Sequence, residues 1–294
     1  MKILICDPFD PSLPGKLARF GEVTDDPAQL AQADVALVRS KTVCTADWMA
    51  GAPNLKLIIR GGVGLDNVDR AAAKERGIEV RNTPEASSVA VAELAMALMI
   101  ALPNQLIAGH NGMREGKFLK KELKRTELFQ KTLGLWGVGR IGTEVARRAA
   151  AFGMTVLAYD PFVKSHECAK LVALDTLLAQ ADYISLHTPL TDDTRGMVNA
   201  ASLAKMKKGV RIINTGRGKC IDEPALAAAL ASGHVAGYGT DVWYSDPPDP
   251  ACPLLQAPNV IRLPHIGAST KENLLRIGVG VEALIGEFAG RKGR

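Results

Sequence analysis

The sequence predicts an α/β protein that folds into two doubly wound parallel-sheet domains. Short runs of β-branched residues alternate with alanine-rich helical segments along almost the whole chain, as in consecutive β-α units. The alternation forms two series, which are separated by a long apolar helix. A chain of 294 residues is long enough for two domains of ordinary size, so each series is expected to build one sheet.

The first series begins at the N-terminus and ends near the turn Asn82-Thr83-Pro84, because proline disfavours a helical residue before it. A helix rich in alanine, methionine and leucine follows over 88–108. It is apolar on most sides, which is typical of a helix buried between two domains, so we place the domain crossover there. The strands of this series are predicted at 2–6, 34–39 and 57–60, and its helical segments at 27–33 and 69–76.

The second series has clear helix boundaries. Asp222 is a suitable N-cap for a helix that ends before Gly233, and Ser269-Thr270-Lys271-Glu272 has the pattern of a capping box. We expect the helix that follows this box, over 270–289, to return to the first domain. The strands of this series are predicted at 132–136, 155–159, 183–187, 210–214, 235–240 and 260–263. The predicted domains are 1–96 plus 270–294 for the first series and 97–269 for the second.

Composition argues against several classes of protein. The longest apolar run, 89–102, contains Glu93 and is shorter than the roughly 20 residues that cross a bilayer. The N-terminus lacks the apolar core of a secretory signal, so we expect a cytoplasmic protein without a membrane span. The five cysteines form no C-x-x-C pair, which fits reduced thiols and predicts no metal site. The net charge of +5 is scattered along the chain, so no nucleic-acid partner is expected.

The turn after the first strand of the second series has the pattern G-x-G-x-x-G, at 137–142. Gly137 permits the tight turn, Gly139 lets the backbone approach a pyrophosphate, and Gly142 allows close packing of the following helix, whose N-terminus attracts phosphate. Asp160 ends the next strand, eighteen residues after Gly142, where its carboxylate can accept hydrogen bonds from a ribose. The pattern predicts a Rossmann domain that binds NAD, because an acid at this position repels the 2′-phosphate of NADP.

Polar residues also gather where later strands of the second series end, and ligands bind at the carboxyl ends of strands in open α/β sheets. A lone histidine such as His265 is more often structural than catalytic, so these residues carry weight only as a set. The strand-end motifs are His187-Thr188-Pro189, Asn214-Thr215-Gly216-Arg217-Gly218, Asp241-Val242-Trp243 and Pro264-His265-Ile266-Gly267-Ala268-Ser269.

Further motifs of the same kind are Val38-Arg39-Ser40, Arg60-Gly61-Gly62-Val63-Gly64-Leu65-Asp66-Asn67-Val68-Asp69, Asn82-Thr83-Pro84, Ala90-Val91-Ala92-Glu93 and Thr126-Glu127-Leu128. With these motifs the chain resembles the D-isomer-specific 2-hydroxyacid dehydrogenases over about 33–269, and within them looks most like the phosphoglycerate dehydrogenases. The resemblance implies that 97–269 is a Rossmann NAD-binding domain and that the other domain is a smaller, flavodoxin-like substrate domain. It also implies an active site in the cleft between the two.

The resemblance implies a catalytic set of Arg217, His265 and an acid, which by position is Asp246. Related enzymes usually carry glutamate there, so this side chain is shorter by one methylene, and Asp249 is the alternative acid. Arg217 is expected to hold the carboxylate and carbonyl of a 2-oxo acid as a planar donor. His265 is expected to supply a proton when the carbonyl is reduced and to remove one in the reverse direction. The hypothesis for Asp246 is that it favours the imidazolium form of His265 and orients the ring.

For the cofactor, the resemblance implies that Arg140 and Ile141 contact the pyrophosphate, Asp160 the ribose and Asp241 the nicotinamide amide. An alternative for Asp241 is a structural role, in which a residue at a strand end satisfies local backbone groups. The expected NAD contacts are Gly137, Gly139, Arg140, Ile141, Gly142, Asp160, His187, Thr188, Pro189, Thr215, Gly216, Arg217, Asp241, His265, Gly267 and Ala268.

The resemblance also implies a small anionic substrate. Cations at Arg39 and Arg60 would neutralise a phosphate, which favours 3-phosphoglycerate and 3-phosphohydroxypyruvate, the pair of the first step of serine biosynthesis. Both arginines are also plain strand-end residues, and Ser87 stands where relatives usually carry asparagine. The expected substrate contacts are Arg39, Arg60, the backbone of Gly61, Gly62, Val63 and Gly64, and Lys120 or Lys121 from a neighbouring subunit.

Other functions and the oligomeric state complete the expectations. Within the enzyme class the alternative is a hydroxypyruvate or glyoxylate reductase, and from another class it is an NADH-sensing protein like the C-terminal-binding-protein corepressors. The polar, basic segment 110–130 is predicted to be an exposed arm. Related enzymes form their dimer contact there, so we expect a homodimer. Because the chain stops at Arg294, we expect no serine-binding regulatory domain.

Overall fold

The computed structural model describes residues 1–292 and forms two compact units, each built on its own parallel sheet. The first unit combines Met1–Ala90 with the chain from Ala268 onward, and the second is Val91–Gly267. The predicted α/β fold with two parallel sheets is confirmed. The boundaries expected after residues 96 and 269 lie six and two residues beyond those of the units. The last two residues of the predicted segment 270–294 lie outside the described residues.

The first unit has an all-parallel, five-stranded sheet in the order β2-β1-β3-β4-β5. The two edge strands, β2 and β5, are not predicted by the sequence pattern, because each is half-exposed and contains a single valine. The strands are β1 (Lys2–Ile5), β2 (Glu22–Thr24), β3 (Val35–Val38), β4 (Leu57–Arg60) and β5 (Glu79–Asn82). The helices are α1 (Leu13–Leu17), α2 (Ala46–Ala50), α3 (Arg70–Glu75) and two 3₁₀ segments, Ala18–Phe20 and Pro27–Gln32.

The final helix, α10 (Lys271–Lys292), belongs to the first unit, as predicted. Its buried face, with Ile277, Val281 and Ile285, lies in one apolar cluster with the strand residues Ile3 and Leu57. The helix is capped by Thr270, whose hydroxyl accepts the Asn273 N–H at 3.1 Å. The predicted capping box from Ser269 to Glu272 is therefore wrong, because the cap lies one residue later and the third helical residue is Asn273.

The second unit has a seven-stranded parallel sheet in the order β12-β11-β10-β9-β6-β7-β8. The direction of strand progression reverses at β6, which is the Rossmann arrangement. Successive side chains of this strand lie in different apolar clusters, Leu135 in one and Trp136 in the other, so both faces of the sheet are covered. The strands are β6 (Thr132–Trp136), β7 (Thr155–Tyr159), β8 (Lys170–Leu171), β9 (Tyr183–Leu186), β10 (Val210–Asn214), β11 (Val235–Thr240) and β12 (Val260–Arg262).

Most elements of the second unit follow the prediction. The six predicted strands are present within one residue at each end, and the structure adds only the two-residue edge strand β8 to them among the residues it describes. Asp222 caps its helix by accepting the Ala225 N–H at 3.0 Å, as predicted. The helices after the glycine turn are α6 (Arg140–Ala151), α7 (Leu174–Gln180), α8 (Ala200–Lys205) and α9 (Glu223–Ala231), with 3₁₀ segments at Gly218–Cys220 and Pro253–Leu255.

The region predicted as one helix and an exposed arm is organised differently. The helix over 88–108 is two helices, α4 (Ser88–Asn104) and α5 (Leu106–Arg114), separated at Gln105, whose φ is 52°. The predicted arm over 110–130 therefore begins as helix. Its glycines conceal the pattern, since a Cβ at Gly112 would lie 2.7 Å from Leu119, where the arm packs closely on α5. No single helix within residues 1–292 is long and apolar enough to cross a bilayer; α4 and α5, which meet at 63°, pass that test only when counted together.

Candidate functional site

The glycine turn of the second unit joins β6 to α6 and brings backbone segments into close contact. Gly137 has a φ of 92°, which side chains rarely adopt, and a Cβ there would lie 2.7 Å from the carbonyl oxygen of His187. A Cβ at Gly142 would lie 2.6 Å from the carbonyl oxygen of Gly137. A Cβ at Gly139 would meet no atom of the described residues within 4 Å. Two glycines therefore permit tight packing, and the third borders open space.

The N-terminus of α6 faces this turn with its backbone groups available. Its N-cap is Gly139, and within the described chain no side chain caps the first turn. The amide groups at such a terminus and the helix dipole attract an anion. Asp160, just after β7, accepts the N–H of Val138 at 3.0 Å and that of Phe162 at 3.0 Å, so its carboxylate is fixed beside the turn.

The strand-end residues next to the turn add buried polar atoms. The His187 ring hydrogen-bonds Ser185 at 2.9 Å, and burial lowers the pKa of His187 to about 4, so the ring is neutral near pH 7. The His187 Nδ1 and the Thr215 hydroxyl are buried and have no hydrogen-bond partner in residues 1–292. An open glycine, an uncapped helix, a fixed carboxylate and unsatisfied polar atoms are what a dinucleotide cradle requires, so these residues fit NAD.

Arg217 lies in the turn that follows β10. Its guanidinium donates to the carbonyl oxygen of Gly216 at 2.8 Å, and its own carbonyl accepts the Asn214 side-chain amide at 2.9 Å. Gly218 permits the turn to approach the next loop, because a Cβ there would lie 2.1 Å from the Trp243 backbone. Asn214 belongs to a motif noted in the sequence, but the pattern assigns it no role, since its function depends on burial.

His265 and Asp246 form a hydrogen-bonded pair in the second unit. The Nδ1 atom of His265 contacts Oδ2 of Asp246, and the two side chains are 33% and 41% exposed. The shorter aspartate side chain therefore reaches the imidazole at this position. Since Nδ1 is occupied, Nε2 is the ring atom that can exchange a proton with a substrate. His265 has a φ of 55°, a left-handed conformation that is uncommon for a residue with a side chain.

Asp241 is buried directly after β11, and its carboxylate is held by two backbone groups. One oxygen accepts the N–H of Ile266 at 2.8 Å, and the other accepts that of Gly267 at 2.6 Å. Burial raises the pKa of Asp241, and these two hydrogen bonds counter part of the rise. The structural alternative for Asp241, which satisfies local backbone groups, therefore has a direct geometric basis.

The first unit carries the residues expected to bind substrate, at the ends of two adjacent strands. Arg39 follows β3 and Arg60 ends β4, which pairs with β3 in parallel. Burial lowers the pKa of Arg39, and the Arg60 guanidinium folds back over Gly62. The N–H groups of Gly61 and Gly62 donate to Val38 O at 2.8 Å and Thr83 Oγ1 at 2.8 Å, respectively.

These bonds change one expectation. Backbone contacts to substrate were predicted from all of Gly61 to Gly64, but the first two N–H groups already donate within the unit, so the loop can offer those of Val63 and Gly64. Ala268 was expected to contact NAD, but its carbonyl already accepts the Asn273 side-chain amide at 2.7 Å. Lys120, on the arm after α5, is exposed.

Known proteins are similar to this chain in sequence and in fold. Residues 96–267 match the family model described as D-isomer specific 2-hydroxyacid dehydrogenase, NAD binding domain. A hydroxypyruvate reductase of Thermotoga maritima is 50% identical over 85% of this chain and 83% of its own length. A D-3-phosphoglycerate dehydrogenase of Mycobacterium tuberculosis is 43% identical over 97% of this chain, which spans 57% of that relative. The Aquifex aeolicus D-lactate dehydrogenase complexed with NAD and lactic acid superposes with a TM-score of 0.88, at 31% identity, over 99% of this chain and 96% of that one.

Proposed function

This chain belongs to the D-isomer-specific 2-hydroxyacid dehydrogenases, and from that premise we propose that it interconverts 3-phosphoglycerate and 3-phosphohydroxypyruvate with NAD. The NAD-binding domain is the second unit. NAD, when bound, accepts or supplies the hydride at the second carbon of the acid. The roles of the chain's own residues follow from the contacts described above.

Arg217 binds the acid. Its guanidinium is planar and permanently charged, so it can donate to a substrate carboxylate and to the neighbouring carbonyl oxygen at the same time. The same charge stabilises the negative charge that develops on the carbonyl oxygen during reduction. The carbonyl of Gly216 fixes part of the guanidinium and limits its rotation.

His265 exchanges the proton. In reduction, Nε2 gives a proton to the developing alkoxide, and in oxidation it takes the proton of the hydroxyl group. Asp246 contacts Nδ1, which orients the ring and leaves Nε2 for the exchange of the proton with the acid. The His265–Asp246 pair is the observation that supports the assignment of an active enzyme, because it holds an imidazole ready to exchange a proton; the NADH-sensing corepressors usually keep a similar set, so turnover decides between the two.

The phosphorylated substrate is favoured by the two arginines at adjacent strand ends of the first unit. Arg39 and Arg60 place two cations after neighbouring parallel strands, and the phosphate of 3-phosphoglycerate offers charge for both. Lys120 of a second subunit is the third proposed contact. A specific observation favours hydroxypyruvate as the second candidate: the relative that is 50% identical is a hydroxypyruvate reductase.

The test is NADH oxidation with 3-phosphohydroxypyruvate, hydroxypyruvate, glyoxylate and pyruvate under identical conditions. We expect the highest kcat/KM with the phosphorylated acid, and a drop of about tenfold or more on Arg60→Gln for that acid alone. Equal loss with every acid would contradict a phosphate contact, and preference for hydroxypyruvate would establish the second candidate. Absence of turnover with all four acids, in a protein that binds NADH, would favour a corepressor-like role.

A further inference from the structure

Two buried polar side chains stand at the ends of the neighbouring parallel strands β10 and β11. Asn214 is the last residue of β10, and Asp241 directly follows β11. Asn214 is 0% exposed and Asp241 is 1% exposed. Burial of such groups is unfavourable unless hydrogen bonds satisfy them, so their partners show what they stabilise.

Asn214 holds the turn that carries Arg217. Its Oδ1 accepts the Gly216 N–H at 3.0 Å, and its Nδ2 donates to the Arg217 carbonyl at 2.9 Å. One amide side chain therefore bonds the backbone on both sides of the Gly216–Arg217 peptide. This fixes the direction in which the Arg217 side chain leaves the backbone.

Asp241 holds the loop that carries His265. Its two oxygens accept the N–H groups of Ile266 and Gly267, the two residues that follow His265. These charge-assisted bonds stabilise the left-handed backbone of His265. Gly267 allows the short contact, since a Cβ there would lie 3.0 Å from Asp241 Oδ2.

Asn214 and Asp241 are also hydrogen-bonded to each other through their backbones. The Asp241 N–H donates to the Asn214 carbonyl at 3.1 Å. The buried Thr240 hydroxyl lies 3.3 Å from the same carbonyl and 2.9 Å from that of Val242. The end of β10 is therefore hydrogen-bonded to the end of β11 through both a backbone N–H and a side-chain hydroxyl.

We propose that Asn214, Thr240 and Asp241 form one positioning network, which sets the places of the Arg217 guanidinium and the His265 imidazole relative to each other. The inference rests on the proposed function, because it assigns positioning residues to the two side chains proposed to act on the acid. It adds Asn214 and Thr240 to the residues on which the reaction depends. It also gives Asp241 a task toward His265, beside the expected contact to the nicotinamide amide.

The test uses two substitutions that conserve shape. Asn214→Asp keeps the acceptor for Gly216 and sets an oxygen against the Arg217 carbonyl, so we expect the KM for the oxo acid to rise about tenfold, with the KM for NADH unchanged. Asp241→Asn places an amide group opposite one of the two backbone N–H groups that follow His265. It also removes a negative charge near the His265–Asp246 pair. We expect kcat to fall about tenfold and the pH profile of kcat/KM to shift.

Controls separate positioning from folding. Asn199→Asp is the matched change, because the Asn199 side chain likewise accepts backbone N–H groups and donates its amide to a backbone carbonyl, that of Gly196 at 2.9 Å; thermal stability should fall, while KM and kcat stay as in the parent protein. NADH binding by fluorescence should persist in Asn214→Asp and Thr240→Val; Asp241→Asn is left out of this control because Asp241 is also an expected contact of the nicotinamide amide. Where Asn214→Asp does not fold, Thr240→Val removes only the bridging hydroxyl, and it should raise the KM for the oxo acid several-fold.

The outcomes distinguish this inference from the proposed function. Arg217→Ala and His265→Ala are measured in parallel, and parental activity in both would refute the proposed roles themselves. If these two lose activity while Asn214→Asp, Asp241→Asn and Thr240→Val retain parental kinetics, the network alone is refuted. An equal loss of NADH affinity and thermal stability, without a split between KM and kcat, would also refute positioning.

Discussion

At the scale of single residues, the fixed carboxylate of Asp160 is the feature proposed to select NAD over NADP. Its two oxygens are anchored by backbone N–H groups, so it cannot turn away from a 2′-phosphate. Asp160→Ser should raise the KM for NADH about tenfold to a hundredfold, because a charged hydrogen-bond acceptor for the ribose is lost. The same variant should use NADPH better than the parent does. The control is Asp175→Ser, which removes an exposed carboxylate paired with Lys205; unchanged preference in Asp160→Ser would contradict the assignment.

Asp246, beside the imidazole proposed to be catalytic, is a second residue-scale feature. Asp246→Asn should lower kcat/KM for reduction about tenfold to a hundredfold, because the neutral amide holds His265 Nδ1 less firmly than the carboxylate does and the ring is less well oriented. Asp249→Asn is the matched control in the same exposed loop, where the Asp249 side chain accepts the local N–H of Ala251 at 2.8 Å. A larger effect at Asp249 than at Asp246 would reverse the assignment.

At the scale of elements, the glycine turn before α6 contains one glycine that close packing requires and another that is proposed to border the cofactor. Gly142→Ala should lower the free energy of unfolding by about 1–3 kcal/mol, since the added Cβ would lie 2.6 Å from the Gly137 carbonyl. Gly139→Ala should leave stability nearly unchanged, because its φ is −66° and its Cβ would enter open space. It should weaken NADH binding, since that space is where the pyrophosphate is proposed to lie. Denaturant unfolding and NADH titration of both variants check this, and a Gly139→Ala protein that binds NADH normally would contradict it.

The sequence predicts well those elements that are buried and therefore consist mainly of apolar residues. Strands β6, β7, β10 and β11 are short, mostly apolar runs between helices, and their predicted bounds match the structure. Edge strands such as β2 and β8 bury little, so their residues carry no strong pattern. Helix α5 is concealed by Gly109 and Gly112, which are needed for packing against the arm.

The residues of the candidate site also differ in how well the sequence predicts them. Arg217, His265 and Asp160 are ionisable residues that follow strands, and such residues stand out in a sequence. The proposed role of Asn214 depends on which backbone groups surround its amide, and only the folded structure shows them. The free N–H groups of the Gly61 loop were overestimated for the same reason, since Thr83 and Val38 reach them only in the folded unit.

At the scale of the whole molecule, exposed apolar side chains on α5 and the arm after it lead us to predict that two copies of the chain associate. Leu106, Ile107, Met113 and Phe118 are 52%, 54%, 62% and 75% exposed, and burial of such side chains is worth about 1.5–3 kcal/mol each. Two copies can cover this surface symmetrically, which supports the proposed homodimer. Sedimentation velocity at micromolar concentration should give twice the mass of the chain, and Phe118→Asp should shift the population toward monomer because it places a charge in the apolar contact. Val279→Asp, a matched change at a 59% exposed valine of α10, should leave the dimer intact. A parent protein that sediments as a monomer would refute the dimer, and with it the proposed contact of Lys120 with a substrate in the neighbouring subunit.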